Sequence, residues 1–398
     1  MRASHFLTSI TTASALAAAL LAPAGAQARG AMSQNIDIKA SDGVVLKATY
    51  YAAAKPGPGI VMLHACNMTR TSWTQLATDA SAKGFHVLAL DFRGFGESGG
   101  DRFGMGTDQQ SVIDKQWPSD VDAALAWLSS QPGVDKARIG ATGASCGVNQ
   151  AVQLAKRHPE VKTVVMLSGG VNEGARLFLR DSPAFPVMAA ASRGDSGAVD
   201  QMRWILGWSR NPSNKFLEYK KAGHGTEMFA VEKGLEPAIL EWFGANLRDA
   251  PAKVSVDAAA KPTATEEFWT TLSSPGGVAK ARQMYDAAKK AGKQAGLLSE
   301  ADTNILGYAM MRQDNNAKDA LEVFKLNAEA FPDSANTYDS LSDAYLALGN
   351  REEALRNAEK ALEMLPKDTE AADNFKTLVR ESAETKIKEL KKSTSDHM

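Results

Sequence analysis

Cysteine is scarce in this chain of 398 residues, which contains only Cys66 and Cys146. A disulfide scaffold is therefore excluded, and stability must come from ordinary hydrophobic cores. The sequence also lacks a C-x-x-C pair and a close cluster of histidine and cysteine. Such clusters are typical of metal sites, so we predict no metal, and nothing in the sequence implies a cofactor.

The chain also lacks an excess of either charge. Lys and Arg together number 45 and Asp and Glu number 46, which gives a formal net charge of −1. No basic stripe runs along the chain, and binding to nucleic acid usually requires one. Nucleic acid is therefore not an expected partner.

Apolar runs long enough to span a membrane are missing too. The N-terminal run at 13–22 is too short to cross a bilayer. Arg2 precedes this run and the small-residue pattern Ala26-Gln27-Ala28 follows it, as in a secretory signal peptide. We predict a signal peptide at 1–28 and a periplasmic or secreted mature protein with no membrane span. An N-terminal membrane anchor is the alternative.

The mature chain, from 29 to 398, would be too long for a single typical core, which suggests two domains. Two strand-like segments joined at Ser41-Asp42-Gly43 are followed by alternating strand and helix patterns up to residue 247. This order predicts an α/β domain at 29–247, with a mostly parallel eight-stranded sheet flanked by helices. The predicted strands are Ile36–Ala40, Val45–Tyr51, Ile60–His64, His86–Leu90, Arg138–Thr142, Thr163–Leu167, Val187–Ala191 and Lys215–Tyr219.

The C-terminal third has a different pattern. Residues 248–268 are rich in Ala, Pro and Lys without clear periodicity, and we interpret them as a linker. Residues 269–393 are helical in pattern. They contain a repeat with a period of 34 residues, which is the period of tetratricopeptide repeats. The repeated pairs are Pro332 and Pro366, Ala320 and Ala354, and Leu321 and Leu355. We predict an all-α tetratricopeptide-like domain here; an unrelated helical bundle is the alternative.

A serine nucleophile is indicated by Gly143-Ala144-Ser145-Cys146-Gly147, which fits the pattern G-x-S-x-G. This pattern marks a tight strand-to-helix turn, in which glycine avoids collisions two residues either side of the serine. A buried strand pattern precedes Ser145 and a helical pattern follows it. The motif therefore lies between a strand and a helix, as a nucleophilic serine at such a turn requires.

The base and the acid follow Ser145 in the chain. His224 lies in a glycine-flanked loop after the last predicted strand, and the order Ser, Asp, His is typical of such hydrolases. Asp195 follows the preceding strand, where it would hold the imidazole tautomer. A simple turn aspartate is the alternative for Asp195, and Glu173 and Asp181 are weaker candidates for the acid.

An oxyanion hole needs two backbone N–H donors. One is the amide of Cys146, directly after the serine, and the other comes from the loop after the third strand, at Ala65 or Cys66. We interpret His64 as structural, because His224 already provides a base.

Four motifs carry a family resemblance: 63–73, 88–100, 143–147 and the later pair Asp195 and His224. With them, residues 34–247 resemble an α/β-hydrolase of the dienelactone-hydrolase-like or esterase group. This resemblance implies a Ser-His-Asp hydrolase that cleaves an ester, thioester or lactone through an acyl-enzyme. Dienelactone hydrolases carry cysteine at the turn, but Cys146 is out of register here, since its neighbours two residues away are Ala144 and Val148.

The two cysteines both fall in the predicted oxyanion segments. Donors that point at one oxygen must lie close together, which permits a disulfide between Cys66 and Cys146. A bridge and two reduced thiols both remain open.

Other functions and partners stay open as well. The repeats could bind a protein or peptide, or mediate self-association, with the α/β domain as a scaffold. A serine peptidase with the same triad is a further alternative. Few residues separate the sixth and seventh strands, so we expect an open site without a cap domain. Fold and triad do not specify the substrate.

Overall fold

The computed structural model describes residues 32–104, 109–195, 197–248, 261–312, 316–368, 371 and 373–395. The predicted signal peptide and most of the predicted linker lie outside the described residues. The described residues belong to one compact unit that spans 31–398. No helix formed by them is both long and apolar enough to cross a membrane.

Eight strands form one sheet of order β1-β2-β4-β3-β5-β6-β7-β8. Strand β1 pairs antiparallel with β2, and β2 pairs antiparallel with β4; all other pairs are parallel. The mostly parallel sheet with an antiparallel edge is as predicted. The strands are β1 Met32–Lys39, β2 Val45–Ala52, β3 Gly57–Leu63, β4 His86–Leu90, β5 Val134–Ala144, β6 Val161–Leu167, β7 Val187–Ser192 and β8 Lys215–Tyr219.

The central strands are continuous apolar runs because helices cover both faces of the sheet. Every residue of β3, β4 and β7 is buried. Strand β5 begins at Val134, earlier than the predicted 138, because Val134 and Asp135 pair with Gly57 and Pro58 beyond a register shift. Those first residues are partly or fully exposed, so they carry no apolar pattern.

Helices pack on the two faces of the sheet in two separate apolar clusters. One cluster contains residues of α3, α4, α5 and α6, and the other contains residues of α1 and α8. The helices of this part are α1 Thr74–Ala82, α2 Gln109–Ser111, α3 Trp117–Ser130, α4 Cys146–Arg157, α5 Glu173–Asp181, α6 Ala198–Trp208, α7 Met228–Val231 and α8 Leu235–Phe243.

The C-terminal part is entirely helical among its described residues. Helices α12 and α14 begin at Ala317 and Arg351, with the same spacing that separates Ala320 from Ala354 in the sequence repeat. The assignment of this part to the tetratricopeptide family stays a prediction. The helices are α9 Ala264–Ser273, α10 Val278–Lys290, α11 Glu300–Arg312, α12 Ala317–Ala330, α13 Ala335–Ala347, α14 Arg351–Met364 and α15 Asp373–Ser395.

Helix α9 begins inside the segment predicted as linker and continues beyond its end at 268, so the helical part begins at Ala264 and not at 269. Thr263 caps the helix, since its side chain accepts a hydrogen bond from the Glu266 N–H at 3.1 Å. Phe268 is fully buried in the helical core. The sequence did not predict the start of this helix, because its segment is rich in Ala, Pro and Lys. The helix is stabilised by packing against distant segments, which composition does not reveal.

Arg176 on α5 joins the sheet part to the helical part. Its guanidinium carbon lies 4.8 Å from the ring centre of Trp204 and 5.8 Å from that of Trp269 on α9. One of its nitrogens lies 3.6 Å from Asp302 on α11. Because Arg176 is 7% exposed, these contacts form a buried junction between the two parts.

Candidate active site

Ser145 occupies the sharp turn between β5 and α4. Its φ of 52° and ψ of −121° are a strained conformation for a residue with a side chain. A Cβ on Gly143 would lie 2.1 Å from the Gly147 oxygen, and one on Gly147 would lie 2.4 Å from the Leu63 oxygen. The glycine register therefore fits Ser145 at the apex of the turn, as the sequence predicts.

His224 and Asp195 meet at the carboxyl edge of the same sheet. The imidazole Nδ1 lies 2.8 and 2.9 Å from the two carboxylate oxygens of Asp195. This hydrogen bond raises the pKa of His224 above its usual value, because it stabilises the imidazolium. The loops that carry the pair are tied by the Ala222 N–H, which donates to Ser192 Oγ at 2.8 Å.

Glycines on either side of His224 let its loop approach the serine turn. Gly225 has a φ of +56°, and a Cβ there would lie 3.1 Å from the Ala144 Cβ. His224, Asp195 and Ser145 line one cavity of about 500 Å³. We call it the active-site cavity.

The candidate oxyanion donors lie next to one another. Cys146 is the first residue of α4, so its N–H has no acceptor within the helix. Ala65 is buried in the turn after β3, where its oxygen accepts a hydrogen bond from the Met68 N–H at 3.0 Å. Cys146 lines the active-site cavity, whereas Cys66 lines a separate depression with Asn67 and Met68.

A disulfide joins Cys66 to Cys146 in this structure, with 5.8 Å between their Cα atoms. That distance is typical of protein disulfides. The bond fixes the turn after β3 to the first residue of α4. It therefore links the two segments from which the oxyanion donors are expected.

His64 is occupied by structural contacts. Its Nε2 accepts a hydrogen bond from the Phe92 N–H at 3.0 Å, and its Nδ1 lies 2.7 Å from the Ala65 oxygen. Complete burial lowers the pKa of His64, because the charged ring would lose its hydration. A neutral ring with both nitrogens engaged agrees with the structural role predicted for it.

The weaker acid candidates lie on α5, away from the imidazole. Glu173 is the first residue of that helix and Asp181 is the last. Asp181 forms an ion pair with Arg180 at 2.7 Å. Of the three carboxylates considered, Asp195 is the one that bonds to His224.

Part of the chain matches a family model and several known proteins. Residues 42–202 match the model described as X-Pro dipeptidyl-peptidase (S15 family). Thiohydrolase apmlB of Arthrinium phaeospermum is 32% identical over 135 residues, which are 34% of this chain and 42% of that protein. Thiohydrolase aneE of Aspergillus aculeatus is 30% identical over 125 residues, which are 31% of this chain and 37% of that protein.

A dienelactone hydrolase structure from Anabaena variabilis is 19% identical, with a TM-score of 0.43, over 55% of this chain and all of that one. The chain spans about two fifths of the length of the two thiohydrolases. The strand order of the sheet and the sharp turn at Ser145 identify the fold, and the family match over 42–202 agrees with it. Residues 32–248 have an α/β-hydrolase-like fold. The predicted resemblance to α/β-hydrolases and the predicted α/β fold class are confirmed for this part of the chain, whereas the tetratricopeptide-like repeats stay a prediction. The matched hydrolases agree with the predicted enzyme class, a serine hydrolase.

Sequence reasoning missed Ser168, which lines the active-site cavity of the α/β-hydrolase domain. It follows β6, has a φ of 47° and is 1% exposed. Its hydroxyl oxygen has no hydrogen-bond partner among the described residues. The sequence signal for this position was Ser168-Gly169-Gly170. A glycine is needed at 169 because a Cβ there would lie 2.2 Å from the backbone carbonyl oxygen of Ser145.

The helical domain forms a wall of the active-site cavity, which corrects the expectation of an open site. Glu300, Ala301 and Asp302 at the start of α11 line it, together with Phe331 at the end of α12. The segment between β6 and β7 is short, as expected, and contains only α5. The covering elements come instead from helices that lie far beyond His224 in the chain.

The cavity wall is acidic. Asp114, Asp195, Glu300 and Asp302 line it, whereas the described residues that line it include no Lys or Arg. Burial raises the pKa of Glu300, because its carboxylate is largely removed from water.

Proposed function

We propose that the protein is a serine hydrolase that cleaves an ester, thioester or lactone through an acyl-enzyme. The bond between His224 and Asp195, at the cavity that Ser145 lines, carries this proposal. Thiohydrolases among the relatives support ester and thioester chemistry over other reactions at such a site.

Proton transfer by His224 links the steps of the proposed reaction. Ser145 Oγ attacks the carbonyl carbon while His224 Nε2 takes its proton. The Cys146 N–H, with that of Ala65 or Cys66, stabilises the oxyanion that forms. The imidazolium then gives its proton to the leaving group, and a water molecule, deprotonated by His224, hydrolyses the acyl-enzyme. Asp195 orients the imidazole throughout.

A fluorophosphonate probe tests the nucleophile directly. Labelling and hydrolysis of p-nitrophenyl acetate are expected for the native protein and for Ser168→Ala, and both should be lost in Ser145→Ala. Ser168 is the matched control, because it lines the same cavity and also has a positive φ. Undiminished labelling of Ser145→Ala would refute the assignment.

A serine peptidase is the second candidate, favoured by the family model over 42–202. The same residues would then cleave an amide bond with the same proton transfers. Hydrolysis of X-Pro p-nitroanilides would have to exceed that of matched p-nitrophenyl esters in kcat/KM, after correction for the uncatalysed rates. The reverse order supports the esterase.

We further propose that the protein is exported. The signal-like segment at 1–28 and a disulfide in the hydrolase domain fit an oxidising compartment. Mass spectrometry of the mature chain should find Arg29 at its N-terminus. Retention of residues 1–28 on a protein recovered from the cytoplasm would contradict export.

A further inference from the structure

A second cavity adjoins the active-site cavity. It measures about 550 Å³ and lies between α6, the start of α11, the turn after α12 and the start of α15. Both cavities are lined by Gly197, Glu300, Ala301 and Phe331. We call the second cavity the distal groove; the shared lining residues place it directly beside the active-site cavity.

Apolar side chains that face solvent line the distal groove. Ile305 lies one helical turn beyond Ala301 on α11 and is 68% exposed. Phe375 on α15 is 42% exposed. Four large apolar side chains are exposed among the described residues of this domain, and these two are the ones that line the groove, where a ligand would remove them from water.

More acidic than basic side chains line the groove. Asp200, Glu300, Asp333 and Asp368 line it, against two cations, Arg193 and Lys367. Arg193 is paired with Glu218 at 2.5 Å and Lys367 with Glu363 at 2.6 Å. The net field therefore opposes carboxylate or phosphate groups.

We propose that the distal groove is a substrate subsite that binds the far end of an elongated ester without negative charge. The substrate carbonyl lies at Ser145 while an apolar chain passes Ala301 and contacts Ile305. This inference rests on the proposed function and adds the substrate class to it. The helical domain then determines chain-length specificity for the hydrolase domain.

Two ester series of increasing length measure the subsite in the full mature chain. One consists of p-nitrophenyl esters from acetate to decanoate, and the other of acetate esters of alcohols from methanol to decanol. In at least one series kcat/KM should rise by about tenfold or more with length, as burial of several methylenes predicts. Ile305→Asp should remove about tenfold from the longest substrate and leave acetate within about twofold.

Leu378→Asp is the matched control, since Leu378 is 61% exposed on the same helix as Phe375 and lies outside the groove lining. It should leave the length dependence unchanged. A p-nitrophenyl monoester of decanedioic acid tests the charge, and its terminal carboxylate should lower kcat/KM relative to decanoate.

The outcomes separate the two proposals. If the protein hydrolyses esters and Ile305→Asp does not alter the dependence on chain length, the subsite proposal is wrong and the proposed hydrolase function stands. Preference for the terminal carboxylate overturns the charge assignment of the groove. Failure to hydrolyse any ester, together with no labelling of Ser145, overturns the proposed function and the subsite with it.

Discussion

At the scale of single residues, the bond between Asp195 and His224 should determine the pH at which His224, the proposed base, accepts a proton. His224 must be neutral to accept a proton, so kcat/KM should fall as the pH drops through its raised pKa. Asp195→Asn removes the carboxylate, so the acid limb of the profile should move to lower pH. We expect kcat to fall by about 10⁴, as for other triads that lose the aspartate.

Asp181→Asn is the control for this change. Its side chain is exposed, and its ion pair is with Arg180. A pH–rate profile of each variant with one ester measures both effects. An equal loss in Asp181→Asn, or an unshifted acid limb in Asp195→Asn, would contradict the role given to Asp195.

His64 should make stability depend on pH in the opposite sense to a salt-bridged histidine. The pKa of His64 is lowered in the folded state. The contribution of its neutral ring to the free energy of unfolding is therefore complete above the unfolded pKa of about 6.5, and it is lost as the pH falls below that value. Urea unfolding at pH 7 and pH 5 should show a smaller pH difference for His64→Gln than for the native chain. An identical difference would mean that His64 is not kept neutral by the fold.

At the scale of elements, the disulfide holds the start of α4 against the turn after β3. Cys66 and Cys146 are 80 residues apart, and a bridge across such a loop contributes up to about 4 kcal/mol by restricting the unfolded chain. The double variant Cys66→Ser with Cys146→Ser should lose free energy of unfolding of this order. Thiol labelling of the denatured, unreduced protein should detect no free thiol, and two thiols would rule out the bridge.

The elements also show what the sequence could predict. Strands β4 and β8 have the predicted bounds, because each is a short run bounded by turn residues. The start of β5 was missed, since its first residues pair without being buried. Helix α9 was missed because a capping threonine and tertiary packing outweigh a composition that resembles a linker.

Only part of the site could likewise be predicted from the sequence. The sequence pointed to Ser145, Asp195 and His224, because the tight turn and the chain order impose patterns that can be recognised. It gave no sign of Glu300, Ala301 and Phe331 in the cavity. Their place depends on how the helical domain docks, and contacts between distant segments leave no local pattern.

At the scale of the whole molecule, Arg176 should hold the two domains together. Arg176→Ala removes a buried cation that contacts three tryptophan rings, and it leaves Asp302 without this partner. We expect a loss of about 3 kcal/mol in the free energy of unfolding, measured with urea.

Arg356→Ala is the control, because the Arg356 side chain is 63% exposed and its ion pairs are with Glu352 and Glu353 on the same helix. Exposed ion pairs contribute less than about 1 kcal/mol. Equal losses in the two variants would show that Arg176 has no special place at the junction.

The helical wall also has a consequence for the order in which the enzyme matures. Ser145, Asp195 and His224 all precede Phe331 in the chain, so they are synthesised before it. At roughly 5–20 residues per second, ribosomes need roughly 5–20 s to make the stretch between His224 and Phe331. Under the proposed function, the chain made by the start of this interval has every reacting group but lacks the wall that is proposed to select substrates. The proposed selectivity is thus the last property that the chain acquires.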